Sequence, residues 1–224
     1  MALLSNAAVL LGKEVRTEFR SRELLGTTIV FVLVVVVVFS FTFDPTTTES
    51  RRFGPGLLWM AFLFAASLML QPCFLREQGN DTLGALRLAV DDPFAIFLAK
   101  IAANTLFLLL TELVMLPVFA ALFNASFGSE LPAILLTLLL GSLGISVVGT
   151  ALAAISAQAR MRELLLPLLL LPLLTPILVV STEVTIRLMQ PEPYLEWKGI
   201  GLMVAFDVVF LTVLWLFGEY LLEE

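Results

Sequence analysis

Residues 24–43 read LLGTTIVFVLVVVVVFSFTF, twenty consecutive positions without a charged side chain. A helix of that length reaches about 30 Å, the thickness of a bilayer's hydrocarbon layer. The run does not alternate apolar with polar residues, which argues against a barrel strand. Lipid offers backbone N–H and C=O groups no partner, so a continuous apolar run must satisfy them within a helix. Five further runs follow at Leu57–Leu75, Phe94–Phe123, Leu131–Ala157, Leu164–Ser181 and Ile200–Phe217. Phe94–Phe123 is longer than a span needs, which predicts tilt or an extension beyond the membrane. Asp44-Pro45, Gly54-Pro55-Gly56, Asp91-Asp92-Pro93, Asn124 to Pro132 and Gln190 to Pro193 are expected to be the turns between them.

Composition agrees with an all-α integral membrane protein of six transmembrane helices. Hydrophobic residues make up 59% and charged residues only 14%, with a mean hydropathy of +1.01, where soluble domains carry about 25% charge. Six spans occupy nearly all of the 224 residues, so a single membrane domain over 1–224 is expected. Cys73 is the one cysteine and histidine is absent. An intrachain disulfide, imidazole metal ligation and a histidine general base are thereby excluded. Scattered methionines are ordinary apolar filler. No catalytic or metal-ligating constellation is expected, because Gly-x-Ser-x-Gly and His-Glu-x-x-His do not occur. Gly12-Lys13 lacks both the upstream glycine and the following hydroxyl of a phosphate-binding loop. ATP hydrolysis, if used, belongs to another chain.

Basic residues set the orientation. The N-terminal segment, the loop after the second run and the loop after the fourth together hold nine of the 13 Lys and Arg. The positive-inside rule then puts both termini in the cytoplasm, and an even number of spans agrees. Trp59, Tyr194, Trp197 and Trp215 fall near run ends, where amphipathic rings settle.

Four features invite a functional reading. Before the first span, Ala8, Leu11, Val15 and Phe19 recur at helical spacing, with Lys13, Glu14, Arg16, Glu18 and Arg20 on the remaining surface. This predicts an amphipathic helix over 1–23 lying in the interface, either as a topology anchor or as an elbow touching a cytoplasmic partner. In the 76–93 loop, Asn80 or Asp81 can cap a short helix, Leu83, Leu86 and Val90 line one face, and Pro93 ends it. Gly84 inside that helix costs about 1 kcal/mol relative to alanine, which hints at close packing. An apolar helix face outside the membrane needs a cover, either the bilayer or a partner's groove.

The third feature is acid within the spans. Glu112 lies about 18 Å beyond Lys100 along its helix, near the bilayer midplane. Asp207 sits in the sixth run, and Glu183 comes near the outer end of the fifth, before an expected outer loop over 182–199. A carboxylate at such depth costs several kcal/mol unless paired or wetted. Glu112 is expected at a protein interface, with a functional or a purely structural role. Fourth, Gly141, Gly144, Ser146, Gly149 and Ala153 stripe one run for close helix approach. Pro167, Pro172 and Pro176 predict a kinked or partly unwound fifth helix.

Ordered along the chain, several of these stretches resemble the CcmB family. They are Gly54-Pro55-Gly56-Leu57-Leu58-Trp59, Phe74, Arg76 to Pro93, Leu98-Ala99-Lys100, Leu138-Leu139-Leu140-Gly141, Arg160 to Glu163, and Leu164 through Pro172. The family's cytoplasmic loop commonly reads Asp-x-x-x-Gly-x-Leu-Glu; here Asp81 precedes Gly84-Ala85-Leu86-Arg87, with different spacing and a basic last residue. The resemblance implies an ABC-2-like, type V exporter-like permease of the bacterial inner membrane, serving cytochrome c maturation. It implies a separate ATP-binding subunit (CcmA-like), CcmC-like and CcmD-like membrane subunits, a CcmE-like haem chaperone and a permease homodimer. Haem would then be handled by the complex and ATP held by the partner, with no cofactor bound directly to this chain. Two alternatives stand beside it: an ABC-2 exporter half for a lipid or drug, and an ATP-independent proton-coupled transporter using Glu112 and Asp207.

Overall fold

The computed structural model describes residues 2–21, 23–42, 48–75, 84, 86, 88, 90, 92–124, 128–157, 159, 162–190 and 192–222. They form seven α-helices and no strand among the described residues: α1 (Ala2–Ser21), α2 (Glu23–Thr42), α3 (Thr48–Leu70), α4 (Phe94–Leu122), α5 (Leu131–Ala157), α6 (Arg162–Leu188) and α7 (Trp197–Leu222). The last six are each long and apolar enough to cross a membrane. The all-α, six-span expectation is met. Asp44-Pro45, Asp81 and Leu83 lie outside the described residues.

Helix α5 is the hub, packing against α3, α4, α6 and α7. Its small residues explain why. A β-carbon on Gly141 would overlap the Trp59 ring of α3, and one on Gly149 would overlap Leu70. At Gly144 it would come within 2.7 Å of the Asp207 carboxyl on α7 and 3.3 Å of Ile177 on α6. Three neighbours thus reach the α5 backbone through gaps left by absent side chains. The peripheral helix α2 buries only the stripe Leu25, Thr28, Val32 and Val36 and exposes Val30, Val34, Val38 and Phe41. Helix α7 is similarly one-sided, with Val208, Val209, Trp215 and Leu216 exposed.

Element boundaries depart from the sequence reading at three places. Gly54-Pro55-Gly56 is not a turn; it lies inside α3. Pro55 stands well past the first turn of α3 and forgoes one i→i−4 hydrogen bond, a loss that membrane helices accommodate. Gly54 leaves room for Phe119 of α4 and for Phe123 just past its end, whose ring atoms would stand 3.2 and 3.3 Å from a β-carbon there. Helix α6 runs to Leu188, so the 182–199 segment is an outer loop only in its second part. Its apolar run stops early, but Glu183 and Arg187 pair at i,i+4 across 2.7 Å and carry the helix onward. Helix α4 ends as predicted, with Phe123 N–H bonded to the Phe119 carbonyl at 2.9 Å and Asn124 turning at φ 48°.

The third departure is the face of α1. Its inward side is Ala7, Leu10, Leu11, Glu14, Val15 and Glu18, so Leu11 and Val15 of the expected stripe face in while Ala8 and Phe19 are exposed. The face is rotated about one residue from the apolar stripe. Both acids turn inward because each finds a partner there.

A side chain at Gly141 tests the hub. Gly141→Val should lower stability by about 1–3 kcal/mol or prevent assembly, read as thermal unfolding of the purified protein, whereas Gly201→Ala, where a β-carbon meets open space, should leave it unchanged.

Candidate functional site

The stretches on either side of the 76–93 loop, one following α3 and one preceding α4, both meet the first two turns of α4. Lys100 comes one turn after Ala95, Ile96 and Phe97, all buried, so its own ammonium is carried inside, at 3% exposure. The Nζ donates to the Cys73 carbonyl, in the turn that follows α3. It also lies 3.5 Å from Glu14 Oε1 on α1 and 4.8 Å from the Phe74 ring centre. A cation suits that position because it lies just beyond the C-terminal, negative end of α3. Asn104, one turn on, donates to Thr150 of α5 at 3.1 Å and reaches the Cys73 sulfur at 3.5 Å. At the loop's other stem, Asp92 Oδ1 accepts the Phe94 N–H at 2.9 Å and the Asp92 carbonyl accepts the Ala95 N–H at 3.0 Å, starting α4.

Both acids of α1 serve this junction. Burial alone would push the Glu14 carboxyl up, but Lys100 and then Lys13 outweigh it and hold it below the ordinary carboxylate range. Glu18 is fully buried, and its Oε1 accepts the backbone N–H groups of Leu24 and Leu25 at 2.8 and 3.0 Å. It therefore caps α2 from the preceding helix, where the positive end of the backbone dipoles favours a carboxylate.

Within the loop, Gly84, Leu86 and Leu88 are helical. Leu86 and Val90 turn inward and pack on the bundle's own core, and Pro93 is half-buried. Among the described loop residues the exposed apolar side chain is Leu88, at 92%, with Gly84 also exposed. Leu86 and Val90 of the expected face are thus partly covered by this chain, while Leu83 lies outside the described residues.

The two acids at depth do not meet. Glu112 on α4 is fully buried; its Oε2 accepts from Ser142 Oγ of α5 at 2.7 Å, and its Oε1 has no hydrogen-bond partner among the described residues. Asp207 on α7 is buried against Gly144, and neither oxygen has a partner among the described residues. Positions 142 and 144 are about 3 Å apart along α5 but point about 200° apart. The acids flank one helix on opposite sides, which is not the geometry of a direct proton relay between them.

Glu183, expected as a third acid at depth, belongs to an ion network at the far end. Arg187 pairs with it at 2.7 Å and with Glu196 at 2.9 Å, and donates to the Tyr194 hydroxyl. Beside this network a cleft of about 690 Å³ opens between α3 and α6. Its floor is fixed by Trp59, whose indole N–H donates to Thr185 Oγ1 at 3.0 Å.

Sequence reasoning missed Lys100, Glu14, Glu18, Asn104 and Tyr194 as site residues. A lysine two turns into an apolar run, and an acid five to six residues before a span, were the available signals for Lys100 and Glu18.

The family described as "CcmB protein" matches residues 5–217 of the chain. Among curated proteins, "Heme exporter protein B" of Pseudomonas aeruginosa is 31% identical over 175 residues, covering 78% of each chain. The proteins of the same name from Rhodobacter capsulatus and Paracoccus denitrificans are each 32% identical over 181 residues, covering 80% of this chain and 81% of theirs.

Lys100→Met should remove the buried cation beside Glu14, leaving it only the exposed Lys13, and cost roughly 1–3 kcal/mol, measured by thermal unfolding in detergent. Adding Glu14→Gln should recover part of it. Because the Glu14 carboxyl titrates below its unfolded value of 4.5, its stabilisation is complete above that pH. It should disappear as the pH falls through the lowered value, read as increased proteolytic access to α1.

Proposed function

The chain belongs to the CcmB family, and from that premise we propose that it is the membrane permease subunit of a haem-export ABC complex that matures c-type cytochromes. It transmits force and catalyses nothing; a separate CcmA-like subunit hydrolyses the ATP. The names of its relatives and the six apolar helices support the coarse reading. The distribution of Lys and Arg supports an inner-membrane orientation with both termini in the cytoplasm.

The observation that carries the mechanism is the attachment of both loop stems to one buried lysine region. Cys73 and Phe74 at one stem meet Lys100, Asp92 starts the same helix at the other, and Glu14 brings α1 to the same ammonium. A push on the 76–93 loop from a cytoplasmic ATPase would therefore move α1, α3 and α4 together, and Asn104 would carry it to α5. Residues Asp81, Leu83, Gly84, Leu86, Val90 and Pro93 form the coupling segment in this reading, with Leu88 making the partner contact. At the far end the stroke acts on CcmC-like and CcmD-like subunits and on release of a haem-loaded CcmE-like chaperone. Two copies of the chain complete the twelve spans of the usual ABC core. Glu112 and Asp207 hold helices to α5 in this reading, through Ser142 and the gap at Gly144.

Two measurements test it. An ATP-binding subunit should co-purify with the wild-type protein and be lost on Leu88→Asp, an exposed position where folding is spared; full retention removes the loop from the interface. Deleting the gene should abolish covalent c-type haem on stained gels, and intact c-type cytochromes would favour a lipid or drug exporter.

A further inference from the structure

The far-end cleft has chemistry that the permease reading leaves unused. Its walls are apolar where α3 and α6 face each other, through Trp59, Met60, Leu171, Leu178 and Val179, and its rim carries Arg52, Glu183, Arg187 and Tyr194, with Glu183 paired to Arg187. A volume of about 690 Å³ lies in the range of small-molecule sites, about 300–1,000 Å³. Tyr194 is half exposed, and its hydroxyl accepts a hydrogen bond from Arg187. Arg187 is in turn fixed by Glu183 and Glu196 and stands 5.5 Å from the phenol ring centre. The phenol is thus held at the mouth of an apolar slot by a guanidinium that is itself braced from two sides.

A tyrosine oxygen is one of the few protein groups that bind haem iron axially, and a guanidinium beside it can hydrogen-bond the oxygen once it is metal-bound. The chain has no histidine to do this. Resting on the haem-export reading, we propose that this cleft receives ferric haem, with Tyr194 as an axial ligand, Arg187 as the residue that positions it, and Arg52 facing a propionate. The macrocycle lies against the Met60, Leu178 and Val179 wall. On binding, an Fe–O bond to Tyr194 forms and an Fe–OH₂ bond breaks; the phenol proton leaves to water and the iron stays ferric. The site is a transient one for cargo at the far end of the bundle, next to the subunits that would take haem onward.

The test titrates haemin into the purified full chain in nanodiscs. Wild type should bind with a high-spin ferric spectrum and tyrosinate modes by resonance Raman. Tyr194→Phe should lose those modes and weaken binding at least about tenfold. Tyr194→His should restore binding with an imidazole-type spectrum, and Arg52→Gln should weaken binding while keeping the tyrosinate modes. Identical spectra and affinity for wild type and Tyr194→Phe would mean haemin merely partitions into the bilayer, and the inference falls. Phospholipid occupying the cleft with no haemin-dependent change overturns it too. A deletion strain lacking c-type haem alongside either result would leave the export function standing and this site refuted.

Discussion

A bilayer gives helices no hydrophobic reason to associate, so contact depends on how closely their backbones can approach. In this protein that constraint is met on one helix. The absent side chains at Gly141, Gly144 and Gly149 of α5 admit Trp59, Asp207 and Leu70 from two neighbours, with Ile177 of α6 packed at Gly144 as well. Ser142 and Thr150, on the same helix, supply hydroxyls to Glu112 and Asn104. Glu112, Asn104 and Asp207, polar groups that would be costly in lipid, are therefore directed at α5. Every other helix takes its position from it, directly or through one intermediate.

The helical content was legible because length and apolarity alone decide a membrane span. Residues 24–43 leave no other option, and α4 and α5 begin where the apolar runs do. Where side-chain pairing decides, sequence periodicity misled. The α1 stripe through Ala8 and Phe19 is a sound amphipathic pattern, yet Glu14 and Glu18 turn inward because Lys100 and the start of α2 reward them with partners far along the chain. The extension of α6 past Ser181 rests on Glu183 and Arg187, charges that end an apolar run but continue a helix. Gly54-Pro55-Gly56 carries the composition of a turn, yet it lies inside α3 with Gly54 against Phe119.

The candidate sites divide in the same manner. The loop's location and the depth of Glu112 followed from counting residues. Which of Leu86, Leu88 and Val90 remains available to a partner did not, since that depends on the core that covers the other two. The Lys100 junction was invisible for the same reason: its members come from α1, the turn after α3 and the second turn of α4, segments separated by up to 86 positions. Membership of the CcmB family supplies the biological setting, while the junction supplies a physical route by which a cytoplasmic stroke could be felt across the bundle.

The carboxylate of Glu18 has a mechanical meaning beyond capping. It is rooted in α1 yet grips the first two leucine amides of α2, so the corner between the two helices behaves as a bell crank rather than a free joint. Rocking α1 must either drag the start of α2 sideways or unseat those amides from a fully buried carboxylate. The first span, touching the bundle along only a narrow stripe, is the part freest to swing in response.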